Sequence, residues 1–166
     1  MDILLDRFLD LMEEATIAYK DLLYVLQKER KAIVNSNFQE SNEAGKEKEN
    51  ILLKIRIVEE QRQNIQGKLA DNLGYLPQDL TMTKLSESVQ DPYSKRLKAC
   101  CSSLSALLQS ILEINSGNKA LIMHCLELVT GSLTLLSNLM STNPVYYRSG
   151  AVYLSENNGR VMSGRI

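Results

Sequence analysis

Between Cys100 and Tyr147 the chain carries only three formal charges, Glu113, Lys119 and Glu127, in a stretch that reads as continuous helix. A helix so poor in charge must cover most of its circumference. One apolar stripe runs through Leu104, Leu107, Ile111, Ile114, Leu121, Cys125, Leu128, Leu135 and Leu139, stepping by three and four with two wider steps, the pattern of a core-facing seam. A second stripe lies beside it: Leu108, Leu112, Ile122, Leu126, Val129, Leu133, Leu136 and Met140. Two or three packed helices in a chain of 166 residues can hardly cover both. Burying a Leu, Ile or Met is worth about 1.5 to 3 kcal/mol relative to leaving it in water, so several left exposed favour association.

The rest of the composition narrows the class. The chain has no Trp and only two Phe, so bulky filling for a β-sandwich or a large globular interior is lacking, whereas its aliphatic residues suit helix seams. A formal net charge of −1 gives no basic face for nucleic acid. Three cysteines, two adjacent at Cys100 and Cys101 and the third on an apolar helix at Cys125, do not make a disulfide framework and fit a reducing compartment. Acidic residues among the first apolar ones argue against a secretion signal, so a cytoplasmic location is expected. A membrane span is not expected either, because Leu128 to Tyr147 is interrupted by Ser, Thr, Asn and Pro144.

Fold class follows from periodicity. Leu4, Phe8, Leu11, Ala15, Ala18, Leu22 and Val25 alternate steps of four and three, which predicts a first helix over about 2–34. Asn35, Ser36 and Asn37 supply turn and N-cap chemistry before a second helix over about 37–73, with the seam Lys48, Ile51, Ile55, Val58, Arg62, Ile65 and Leu69. Its polar members and Gly45 predict a weak first half. Gly74 stands where a C-cap glycine would, and Pro77 follows it. Residues 74–91 form a connector with room for one or two helical turns. Asp91-Pro92 is a start signal for a last helix over about 92–142, with Asn115-Ser116-Gly117-Asn118 its one weak point. The expectation is an all-α chain: a bundle of three long, mostly antiparallel helices over 1–143, then a flexible tail over 144–166, monomeric or homodimeric.

The stretch Leu112-Glu113-Ile114-Asn115-Ser116-Gly117-Asn118-Lys119-Ala120-Leu121-Ile122, continuing through Leu126-Glu127-Leu128-Val129, resembles the FlgN-type flagellar export chaperones. In that family a helix reading L-x-x-x-N-x-x-N-x-x-L-I leads into an apolar C-terminal half. Lys46-Glu47-Lys48-Glu49 before Leu52-Leu53, Glu60-Gln61-Arg62, and the spacing of Tyr146 and Gly150 are also similar, although Tyr147 replaces the family's first tail glycine. The resemblance implies a cytoplasmic chaperone of the flagellar type III export system. It implies hook-associated junction proteins of the FlgK and FlgL class as cargo and docking at the cytoplasmic domain of the export gate. An amphipathic cargo helix would sit on Leu121, Ile122, Leu126, Val129, Leu133, Leu136 and Met140. Tyr146 and Tyr147 would contact the gate, or merely pin the tail.

Chemistry is sparse. The one histidine, His124, has Glu127 three residues after it, the reverse of the Glu-x-x-His order of helical metal sites, and Cys125 beside it points about 100° away. No phosphate-cradling glycine loop, nucleophile elbow or C-x-x-C pair is present. Neither enzyme activity nor a cofactor or metal is expected. The competing reading is a coiled-coil adaptor or scaffold with no export role, in which the last helix is permanently paired.

Overall fold

The computed structural model describes residues 1–141. Among them are four helices and no strand: α1 (Asp2–Val34), α2 (Phe38–Leu73), α3 (Met82–Ser88) and α4 (Tyr93–Ser141). The all-α class is the one the periodicity predicts. The chain divides into two compact units, Met1–Ile122 and Met123–Ile166.

In the first unit α1 and α2 form a hairpin. Its turn is closed by paired hydrogen bonds from Asn37 N to Ala32 O (2.9 Å) and from Ser36 N to Ile33 O (3.0 Å), which places Ser36 in the left-handed region at φ 55°. The Asn37 side chain then accepts from Glu40 N (3.2 Å) and starts α2. Gly74, at φ 75°, ends α2 in the same way, with Tyr75 N bonded to Ala70 O and Gly74 N to Asp71 O.

The α1 seam from Phe8 to Val25 is buried, and Ala15, Ala18 and Leu22 meet Val58 and Ile55 of α2 in antiparallel order. A second row on α1, Leu5, Leu9, Met12 and Leu26, is buried as well. The heptad reading misses this row because it credits α1 with one neighbour. In the structure α1 has two, and the second row is where α3 and α4 pack: Leu5, Phe8, Leu9 and Met12 share a core with Leu69, Leu80, Leu85 and Leu97.

The connector expected over 74–91 holds α3, started by the Thr81 side chain accepting from Lys84 N (3.2 Å). Gln66 donates to Leu80 O (2.6 Å) and Ser94 to Ser86 O (2.6 Å), so the crossover is tied to the end of α2 and the start of α4. The crossover fixes a direction. Arg96 pairs with Glu13 (3.2 Å), Ile111 packs with Ala18, Leu22 and Leu26, and Asn118 bonds Leu26 and Glu29. Sequence numbers rise together on the two helices, so this part of α4 runs parallel to α1 and antiparallel to α2. The antiparallel α2 carries the chain back between these two parallel helices, and α3 lies in the connection from α2 to α4.

The expected weakness in the first half of α2 takes a different form. Lys48, a polar member of the seam, donates to Glu29 (2.6 Å), a carboxylate that is 6% exposed, and Ala44 is fully buried. Polar residues there hold the helix by pairing across the hairpin. Gly117 does not interrupt α4. A Cβ at this position would stand 2.7 Å from a guanidinium nitrogen of Arg30, the far end of a flexible side chain.

Candidate functional site

The site expected on the last helix begins where α4's burial ends. Leu104, Leu107, Ile114 and Leu121 are half-buried and Ile111 is buried, as a core seam should be. Leu121, expected in the binding site, therefore belongs in part to the seam. Ile122, Leu126, Val129, Leu133, Leu136 and Met140 are exposed, Leu133 at 62% and Met140 at 83%. They lie on one face because their steps of three and four keep them within a narrow arc.

Cys125, Leu128 and Leu135 continue the first stripe and read as core by spacing alone, yet they are exposed too, Leu135 at 62%. Period reports that a helix has an apolar face. Whether the chain supplies a neighbour for that face depends on tertiary structure, and the sequence signal for these three residues was the surplus of stripes over helices.

Local chemistry makes this surface more apolar than its composition suggests. Ser132 donates its hydroxyl to Leu128 O (2.8 Å) and Thr134 to Thr130 O (2.9 Å), so neither hydroxyl proton demands water. From Met123 to Met140 the one carboxylate is Glu127, whose nearest ring nitrogen, His124 Nδ1, is 4.0 Å away with both side chains well exposed. Such an exposed pair contributes little. Among the described residues no group of three or more His, Cys, Asp or Glu could hold a metal ion. A groove of about 700 Å³ between α3 and α4, lined by Met82, Ser86, Leu97, Cys101, Ser105 and Ala106, offers no titratable cluster. Tyr146 and Tyr147, expected to dock at the export gate, lie outside the described residues.

By length and composition α4 is apolar enough to cross a membrane, contrary to the interrupted window read from sequence. The window that qualifies falls within α4, upstream of Pro144. The same composition serves a helix that is lent to a partner. The described residues form an all-α chain, a long hairpin followed by a third long helix whose final segment exposes an apolar face. The profile of the FlgN protein family matches residues 1–153, and the chain belongs to that family of flagellar export chaperones. The family is a chaperone family, soluble and cytoplasmic in general, and implies binding of flagellar hook-associated proteins. Comparison with curated proteins and with solved structures returns no match.

Proposed function

We propose that this chaperone holds hook-associated junction proteins of the FlgK and FlgL class by their C-terminal amphipathic segments, keeps them unassembled, and delivers them to the export gate. The observation that carries the reading is the run of exposed leucines from Leu126 to Leu136 in a segment, Met123 to Met140, whose one carboxylate is Glu127. Exposed aliphatic residues at this density stabilise nothing in the free chain and gain about 1.5 to 3 kcal/mol each when fully covered. Segments that become helical on contact match such a face by their own i, i+3, i+4, i+7 anchors. Binding requires no cofactor. Tyr146 and Tyr147 are the residues proposed for gate docking, with cargo and gate using separate parts of the chain.

Calorimetric titration of the full chain with a peptide from the C-terminal segment of a junction protein tests the reading. Saturable binding with a negative heat-capacity change is expected. Absence of heat and of any mobility change at high micromolar peptide favours the scaffold reading instead.

A further inference from the structure

The apolar face after Met123 is wider than one partner helix can use. At about 100° per residue, Leu135, Leu128, Cys125, Leu136, Val129, Leu133 and Leu126 follow one another around an arc of about 180°, interrupted by Ser132, whose hydroxyl is bonded to Leu128 O. A helix facing a single neighbour needs an apolar stripe of about 100°, and a coiled-coil seam is narrower still. Both edges of the arc are equally open: Leu128 and Leu135 at one edge are 58% and 62% exposed, Leu126 and Leu133 at the other 55% and 62%. Ser137 borders the arc, and on the far side lie Glu127, Thr130, Gly131 and Thr134 with the exposed Met123 among them.

Resting on the chaperone reading above, we infer that this segment takes two helices at once, both from one cargo molecule, seated side by side on the Leu128/Leu135 seam and on the Leu126/Leu133 seam. A second copy of the chain is a poorer occupant. It contributes one further helix of the same kind, which fills one seam on each copy and leaves the other open. Residues 142–166, with Pro144, Gly150, Gly159 and Gly164 and no apolar period, do not offer an amphipathic helix by sequence. The near absence of charge on the arc points to uncharged, leucine-type faces on both incoming helices, because an unpaired charge buried there would be costly.

The experiment places a photoreactive amino acid at position 128 or at position 133 of the full chain, saturates it with an intact hook-associated protein, and maps the cross-linked cargo peptides by mass spectrometry. Two different cargo segments are expected, one from each position. In parallel, Leu135→Asp and Leu133→Asp should each weaken the complex by at least about tenfold, because a buried carboxylate replaces an apolar contact. The same cargo segment at both positions, cross-linking at only one of them, or cross-links to a second copy of this chain each overturn the two-helix arrangement while cargo co-elution leaves the chaperone reading intact. Failure of the unmodified chain to co-elute with cargo overturns both.

Discussion

Asn118 donates its side-chain amide to Glu29 across 3.0 Å, and the same nitrogen donates to the main-chain oxygen of Leu26 at 2.9 Å. Asn118 is 1% exposed, and Lys48 closes the network from α2 onto the other Glu29 oxygen at 2.6 Å. One residue from each long helix therefore meets at a single buried polar point, where sliding α4 along α1 would strand a carboxylate and an amide. The second asparagine of the N-x-x-N motif thus belongs to the inside of the bundle, and its Oδ1 has no hydrogen-bond partner.

Removing the cation from this point should cost most. Lys48→Met leaves Glu29 buried without its counter-charge, and urea unfolding should show a loss of about 3 to 5 kcal/mol. Asn118→Ala removes two hydrogen bonds, one to a carboxylate, for about 1 to 3 kcal/mol. Because both changes act on Glu29, the double variant should be less destabilised than the sum of the two. Additivity would dissolve the network into separate contacts.

Two positions test the reading of the turns. Ser36 occupies the left-handed region, where an L side chain costs about 1 to 2 kcal/mol, so Ser36→Gly should raise stability by about 0.5 to 1 kcal/mol after the entropy of the unfolded glycine is counted. Gly74→Ala, at φ 75°, should lower it by about 1 kcal/mol. Thermal melts that move in the same direction for both would contradict the shared geometry of the two helix ends.

Gly117 offers a contrast. A Cβ there meets only the mobile end of the Arg30 side chain, which can swing aside, while alanine favours the helix by about 1 kcal/mol. Gly117→Ala should therefore be neutral or mildly stabilising in chemical denaturation. A large loss would mean that Arg30 is held rigidly over α4.

On the apolar arc, Leu133→Asp or Leu136→Asp should abolish cargo binding yet leave circular dichroism and unfolding midpoint near those of the parent chain, because both side chains are already exposed. Leu9→Ala, fully buried beside Leu97, should instead cost about 2 to 5 kcal/mol. Collapse of the fold in Leu133→Asp would assign that residue to a core.

The cysteines report on occupancy without mutation. Burial, reinforced by the neighbouring Glu13 carboxylate, pushes the half-buried Cys100 thiol up, so little of its reactive thiolate is present at neutral pH. Cys125 is exposed on the arc. A disulfide-exchange reagent should modify Cys125 before Cys100 in the free chain, and saturating cargo should slow Cys125 alone. Unchanged Cys125 kinetics with cargo bound would move the contact elsewhere.

What was legible in the sequence was the repetitive part. The α1 period from Leu4 to Val25 sets the hairpin, and Asn37 and Gly74 mark its second helix by local capping chemistry that needs no tertiary knowledge. The second buried row of α1 was hidden because Leu5, Leu9, Met12 and Leu26 differ from ordinary helix-surface leucines only once α3 and α4 arrive. Asn118 was visible as part of a motif, but its burial depends on Glu29, 89 positions away. On the arc, the second stripe from Ile122 to Met140 was read as exposed from the surplus of apolar positions. Leu128 and Leu135 keep the spacing of a core seam, and that spacing serves a core and an open face alike.

The order in which these contacts become possible gives the parallel placement of α1 and the first part of α4 a further meaning. Hairpin contacts such as Lys28–Glu47 span 19 positions, whereas Asn118 reaches back 92 to Leu26. Closing the longer loop is the slower event, because its entropy cost is met only after the hairpin's local contacts are available. The leucines after Met123 emerge from the ribosome after the residues that fill the seams of the first unit, which are matched to side chains nearer the N-terminus. A late-emerging apolar segment meets seams that are already filled, which leaves its side chains to a partner.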